Sequence, residues 1–269
     1  MVDSVSRFLG FADTYDRARP RTPAELIDLL TQWSGIAEPD VVDLGAGTGL
    51  STVAWSGRAR QVLAVEPSPD MRAVAKQRLA ELPDKAAFCP IDATAEATGL
   101  PDECVDVVTA SQAMHWFDSA KVLPEIARIL RPGGVFAAYD VDWPPAIDAR
   151  IDAAYEEVTR RISEAAEVDD TPRANKSGHL ARMIDSGLFS YAREICLHAK
   201  ETARGDAKKI GDADRLLELL RSQSGVAALL RAGRTEDELG LTALREIATA
   251  RISQPRTWWW TYRIRIAVK

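Results

Sequence analysis

An α/β fold built on a mainly parallel sheet is predicted by three features of this sequence. Between residues 22 and 140, short apolar segments alternate with segments whose apolar residues recur at helical spacing. The strand-like segments are rich in Val and Ala, as parallel strands buried on both faces usually are. The connections are short, which favours an open sheet with helices on both faces.

The first half of the chain contains five predicted strands. A helix over 23–34 is expected to begin at Thr22-Pro23, with Thr22 as its cap and the proline as its first residue. Two further helical patterns lie around 71–78 and 123–130, and Arg131-Pro132-Gly133-Gly134 is expected to end the second of them. The strands are predicted at 41–44, 61–65, 86–91, 105–110 and 134–141.

After residue 141 the helical segments become longer. An apolar stripe predicts a helix over 147–166, and another helix is expected near 178–186. Strands at 188–198 and 257–268 enclose helical sequence between about 212 and 251. The last strand is expected to run antiparallel to 188–198.

The last strand has one strongly apolar face. In TWWWTYRIRIAVK, every second residue from Trp258 to Val268 is apolar. This alternation places Trp258 and Trp260 in the core and argues against a stacking platform for bases or sugars. Trp259 is then the tryptophan that faces the substrate or a lid.

Composition excludes several classes of function. The formal net charge is −6 with a pI near 5.3, so we expect no nucleic-acid partner. The three cysteines are far apart and show no metal-type spacing, which is typical of reduced thiols in a cytoplasmic protein. We expect no signal peptide, no membrane-spanning segment and no metal site.

The stretch VVDLGAGTGLS, residues 41–51, combines a strand with three closely spaced glycines. Gly45 and Gly47 allow a sharp turn and a close approach of a ligand to the backbone, at what is expected to be a helix N-terminus. Glu66 closes the next strand about 20 residues further on, where an acid binds ribose hydroxyls. Dinucleotides and S-adenosylmethionine both contain that ribose, so this pattern alone fits either cofactor.

Three further features favour S-adenosylmethionine. Asp43 precedes the first glycine, where a carboxylate would repel a pyrophosphate and attract the ammonium group of a methionine. Asp92 ends the third strand, where a carboxylate can accept from an adenine amine. About 40 residues precede the first strand, whereas dinucleotide-binding domains usually begin close to it.

At this point the chain resembles the class I S-adenosylmethionine-dependent methyltransferases, in particular the small-molecule type 11 group. The resemblance covers residues 10 to 141 and rests on VVDLGAGTG, VLAVEPSPDM, Asp92, ECVDVVTASQAMHWFD and EIARILRPGGVFAAY. It implies a seven-stranded Rossmann-like sheet, mainly parallel with an antiparallel last strand, and helical cap insertions. The implied units are a cofactor-binding core over 1–141, a cap and return helix over 142–187, and the last two strands over 188–269 with a helical insertion at about 200–256.

The resemblance also implies roles for particular residues. Tyr15 and Arg19 would close over the cofactor, although Thr22 stands where the family has a second aromatic residue. Gly45 and Gly47 would pass under the methionine portion, and Gln112 would lie near the same end. The remaining implied contacts are Glu66 to the ribose, Pro67 and Met71 to the ribose and adenine, and Asp92 with the Ala93 backbone to the adenine.

His115, in the segment His115-Trp116-Phe117 after the fourth strand, is the candidate catalytic residue. It is expected in the crevice where an acceptor approaches the methyl group, either binding the acceptor or removing its proton. The sequence therefore predicts methyl transfer to a small molecule, with a hydroxyl or carboxylate oxygen as the expected acceptor. A cofactor used structurally or for non-methylating chemistry stays open, as does a nicotinamide-dependent oxidoreductase.

Overall fold

The computed structural model describes residues 19–168, 178–201 and 211–269. Their strands are β1 Asp40–Leu44, β2 Gln61–Val65, β3 Phe88–Ile91, β4 Val105–Ser111, β5 Leu130–Val141, β6 Tyr191–Lys200 and β7 Trp259–Val268. They form one seven-stranded sheet in the order β3-β2-β1-β4-β5-β7-β6. The first five pair in parallel, and β7 runs antiparallel to both β5 and β6. The predicted fold class, including the antiparallel last strand, is confirmed.

Helices connect and flank these strands. Three of them begin where the sequence supplies a cap. The Ser68 hydroxyl accepts from the Met71 amide with Pro69 in the first turn, the Asp118 carboxylate accepts from the Ala120 amide, and the Asp212 carboxylate accepts from the Arg215 amide. The described helices are α1 Ala24–Ser34, α2 Pro69–Ala80, α3 Ser119–Ile129, α4 Ala149–Val168, α5 His179–Asp185, α6 Ala213–Arg221, α7 Ser224–Arg231 and α8 Leu241–Arg251.

The helices inserted after β5 share a core with the sheet. Helix α4 packs against α7 and α8, and α6 packs against α8. Their buried leucines and Tyr155 join the same apolar cluster as Leu26 and Leu30 of α1 and Val41 of β1. A second cluster, built from α3, β4 and β5, covers the other face. The division of the chain at residues 141 and 187 stays a prediction.

The structure differs from the sequence-based expectation at three boundaries. The glycine turn leads into a single 3₁₀ turn, Thr52–Trp55, rather than a longer α-helix. Pro23, not Thr22, is the cap of α1, and the Thr22 hydroxyl instead lies 3.3 Å from the Tyr139 hydroxyl. Strand β5 already begins at Leu130, so the predicted turn Arg131–Gly134 is part of an irregularly paired strand.

The predicted alternation of the last strand is confirmed from Trp258 to Ile264, whereas Arg265 and Ala267 on the other face are buried as well. Trp258 and Trp260 are fully buried, whereas Trp259 is 48% exposed. The Trp259 ring lies beneath the Lys200 ammonium at 5.0 Å. In the three described ranges, no helix has both the length and the apolar character needed to cross a membrane.

Candidate functional site

A cavity of about 540 Å³ lies at the carboxyl ends of β1, β2 and β4. Gly45 follows β1, Glu66 follows β2, and Gln112 follows β4, so three adjacent parallel strands deliver residues to one crevice. Its other wall comes from the inserted helices and the segment before α4, through Trp143, Thr159, Ser222, Gln223 and Gly225. The volume suits a ligand of nucleoside size or larger.

The glycine turn is shaped by its backbone conformation. Gly45 and Gly47 have φ values of +64° and +57°, a region that L side chains rarely adopt. A Cβ at Gly45 would lie 2.8 Å from the Ala113 Cβ, so the adjoining chain excludes any side chain there. A Cβ at Gly47 would meet nothing within 4 Å, and Gly47 lines the cavity. The turn therefore leaves room for a ligand against the Gly47 backbone.

The Glu66 carboxylate is buried and locked in place by two backbone amides. Its Oε2 accepts from the Gly47 amide and its Oε1 from the Ser68 amide, both at 2.9 Å. Burial raises the pKa of Glu66, while the two amide bonds and the Arg72 guanidinium oppose that rise. Each oxygen keeps acceptor capacity for one more donor, so the carboxylate can accept from two adjacent hydroxyls.

Asp43 lies beneath the turn and has no exposed surface. Its Oδ2 accepts from the Ser51 and Thr52 hydroxyls at 2.7 Å each, and its Oδ1 accepts from Thr109 at 2.8 Å. Burial raises the pKa of Asp43, and the three hydroxyl bonds oppose the rise. The structure thus places Asp43 behind the cavity wall, where it anchors the turn, rather than in contact with the cavity.

The third strand presents different residues to the cavity from those predicted. Asp92 is 72% exposed at its side chain and is ion-paired with Arg72 at 2.6 Å. Arg72 also donates to the Glu66 carbonyl, so it ties together the ends of β2 and β3. Neither Asp92 nor Ala93 lines the cavity. After β3, the cavity is lined instead by Thr94, Ala95 and Glu96, which were not predicted. Pro67 and Met71, which follow β2, line the cavity as predicted.

Arg19 joins the two walls of the cavity. Its guanidinium donates to Gln112 Oε1 at 2.8 Å, to Ser222 Oγ at 3.1 Å and to the Ser222 carbonyl at 2.9 Å. It also lies 4.9 Å from the centre of the Trp143 ring. Arg19 and Gln112, each of which was predicted at the cofactor site, are therefore brought together. The other predicted lid residue, Tyr15, lies outside the described residues.

His115 lies in the 3₁₀ turn Met114–Trp116 after β4 and lines the cavity. Its ring packs against Trp116 with 4.9 Å between the ring centres. Its Nδ1 lies 3.8 Å from Oδ1 of Asp140, a buried residue at the end of β5. Asp140 was not predicted from the sequence, because nothing local marks the acid in GVFAAYDV as the neighbour of a histidine 25 positions away in the chain.

The residues present fit S-adenosylmethionine. The cavity offers an open glycine backbone and a fixed carboxylate for a hydroxyl pair, with apolar contacts from Pro67 and Met71 beside that carboxylate. No group of three or more His, Cys, Asp or Glu side chains among the described residues is arranged to hold a metal ion. The individual cofactor contacts of Tyr15, Arg19 and the other assigned residues stay predictions.

Comparison with known proteins agrees with this arrangement. Residues 42–138 match the methyltransferase domain family of the type 11 group. An uncharacterized methyltransferase of Mycobacterium tuberculosis is 45% identical over 132 residues, which are 49% of this chain and 51% of that protein. A malonyl-[acyl-carrier protein] O-methyltransferase of Pectobacterium atrosepticum is 31% identical over 138 residues, 51% of each chain. The chain thus spans about half the length of the curated relatives it matches.

A solved structure resembles nearly the whole chain. A protein from Anaeromyxobacter dehalogenans, described as a type II methyltransferase, superimposes with a TM-score of 0.64 at 27% identity, covering 93% of this chain and 97% of that one. Glycine turn, strand order and family match lead to one conclusion: the chain carries a class I methyltransferase domain of the type 11 group, and the cofactor of that domain is S-adenosylmethionine.

Proposed function

We propose that the protein transfers the methyl group of S-adenosylmethionine to an oxygen of a small molecule, either a hydroxyl or a carboxylate. One observation carries the proposal: a single cavity is lined by the glycine turn and Glu66, by His115 after β4, and by residues of the inserted helices. A cofactor site and an acceptor site are therefore continuous. The cytoplasmic location inferred from the sequence belongs to the same proposal.

When bound, S-adenosylmethionine supplies a methyl group on a positively charged sulfonium, and the electron pair of the broken C–S bond stays on sulfur. The chain's own residues then have three tasks. Glu66 holds the ribose hydroxyls, and Arg19 connects the acceptor wall to the end of β4 through Ser222 and Gln112. The inserted helices enclose the acceptor and exclude water, which strengthens alignment and electrostatic interactions in the site.

Two experiments test the proposal in sequence. Calorimetry with S-adenosylmethionine, S-adenosylhomocysteine and NAD⁺ should show binding of the first two only, and binding of NAD⁺ alone would favour the oxidoreductase alternative. A panel of small hydroxyl and carboxyl compounds is then incubated with protein and cofactor, and S-adenosylhomocysteine is measured. Cofactor binding without acceptor-dependent S-adenosylhomocysteine across the panel would favour a structural or non-methylating use of the cofactor.

His115→Ala separates the two acceptor classes. A carboxylate is already ionised near neutral pH, so loss of His115 should mainly raise KM. A hydroxyl must lose its proton during transfer, and loss of a histidine base should lower kcat by about 10²–10⁴-fold. His198→Ala is the matched control, because His198 is exposed and hydrogen-bonded to Thr261 on β7. Unchanged kcat and KM in the His115 variant would leave His115 as a packing partner of Trp116.

A further inference from the structure

The buried carboxylate of Asp140 lies next to the His115 ring. The Nδ1 of His115 and Oδ1 of Asp140 are 3.8 Å apart, with side chains only 6% and 8% exposed. His115 follows β4 and Asp140 lies near the end of β5, and these two strands are neighbours in the sheet. The contact thus joins the turn that follows β4 to the end of the neighbouring strand β5.

The orientation of Asp140 is fixed from its far side. Arg265 Nη1 donates to Asp140 Oδ2 at 2.9 Å, and Arg265 Nε donates to Glu194 Oε2 at 2.9 Å. The antiparallel register of β5 and β7 puts Arg265 opposite Ala138, two residues from Asp140 on the same face. One carboxylate oxygen therefore serves Arg265, and the other faces the histidine.

We propose that Asp140 is a positioning residue for His115, an inference that rests on the proposed methyl transfer. The Asp140 carboxylate favours the proton of the His115 ring on Nδ1 and accepts it in a hydrogen bond once the contact tightens, so Nε2 is the unprotonated nitrogen. A carboxylate beside one ring nitrogen fixes the tautomer and turns the other nitrogen to the substrate. As a hydroxyl acceptor forms its new bond to carbon, its proton passes to Nε2, and the resulting imidazolium is stabilised by Asp140.

The distance of 3.8 Å is longer than a hydrogen bond, and such contacts in ligand-free sites often tighten when ligands bind. Among the described residues, the other ionisable side chains lining the cavity are Arg19, Glu66 and Glu96. Arg19 is bonded to Gln112 and Ser222, Glu66 to two backbone amides, and Glu96 to the Asp118 amide at 3.0 Å. Within the described ranges, Asp140 is a carboxylate in ion-pair range of the His115 ring.

Nitrogen NMR of ¹⁵N-histidine-labelled protein tests this contact without an acceptor. The chain has three histidines, and His115→Gln assigns the His115 signals by their loss. At a pH where the ring is neutral, wild type should show the Nδ1–H tautomer of His115, with and without S-adenosylhomocysteine. In Asp140→Asn, whose amide can donate to Nδ1, the Nε2–H tautomer should grow while the His198 signals stay unchanged.

Glu194→Gln is the matched control, since it removes a carboxylate from Arg265 on the side away from His115 and should leave the tautomer unaltered. The same tautomer in wild type and in a folded Asp140→Asn would overturn the proposal. If Asp140→Asn does not fold, wild type alone decides, because a dominant Nε2–H tautomer contradicts the assigned contact and a dominant Nδ1–H tautomer supports it. Calorimetry with S-adenosylhomocysteine reports separately on the proposed function.

Discussion

Replacement of Glu66 by glutamine should remove much of the cofactor affinity. The carboxylate accepts one backbone amide on each oxygen, and the proposed ribose hydroxyls require a second bond at each. A glutamine keeps one acceptor oxygen. In place of the other oxygen it has an NH₂ group, which faces a backbone amide and a ribose hydroxyl that are themselves donors. Loss of one charge-assisted bond, about 1.5–3 kcal/mol, corresponds to roughly a 10- to 150-fold increase in Kd.

Isothermal titration calorimetry with S-adenosylhomocysteine measures this change directly. Glu96→Gln is the matched control, because it makes the same substitution at another acidic residue lining the cavity. We expect Glu96→Gln to bind much more tightly than Glu66→Gln. A Kd for a folded Glu66→Gln within about threefold of wild type, roughly 0.7 kcal/mol, would refute the assignment of Glu66 to the ribose.

The same carboxylate predicts a dependence on pH. Burial raises the pKa of Glu66 above its ordinary value of 4.5. The bound ligand favours the ionised form, so affinity is full above this raised pKa and falls as the pH decreases through it. The loss should therefore begin at a higher pH than for an ordinary glutamate. In Glu66→Gln this part of the pH dependence should disappear, and a variant that keeps it would place the titrating group elsewhere.

Two substitutions test the packing of the turn and of the last strand. Gly45→Ala should lower the free energy of unfolding by about 1–3 kcal/mol, because it adds a Cβ 2.8 Å from that of Ala113 at a φ of +64°. Gly57→Ala is the control, because Gly57 has a φ of +68° and a Cβ there would meet nothing within 4 Å, so this variant has the backbone strain alone. If urea unfolding shows the same loss of unfolding free energy in both variants, the contact with Ala113 is not the cause. Trp258→Ala should cost about 3–5 kcal/mol, whereas Trp259→Ala should cost less than about 1 kcal/mol. Similar melting temperatures for the two tryptophan variants would contradict their assignment to opposite faces of the strand.

Local patterns in the sequence were enough to predict most of the sheet. The alternation of Trp258, Trp259 and Trp260 gave the buried face of β7, because side chains on a strand point to opposite faces in turn. The glycine turn and Glu66 were likewise predictable, since each follows a strand and such strand ends converge at one edge of a parallel sheet.

The acceptor side of the cavity depends on contacts between distant parts of the chain, and no local pattern reports them. Ser222 is held by Arg19, which is 203 positions away in the chain. Asp140 owes its position to the pairing of β5 with β7. The 3₁₀ turn after the glycines has a more local origin, because Ser51 and Thr52 donate to the buried Asp43, eight and nine positions before them. Side-chain bonds of this kind compete with regular helix formation.

The position of β7 between β5 and β6 has a consequence for biosynthesis. Among the described strands, β6 pairs only with β7, so its partner in the sheet is absent until residues 259–268 have left the ribosome. The five parallel strands precede it in the chain and pair with one another, so this part of the sheet can assemble first. Asp140 then meets Arg265 only after β7 has been added, so the wall behind His115 is completed later than the parallel part of the sheet.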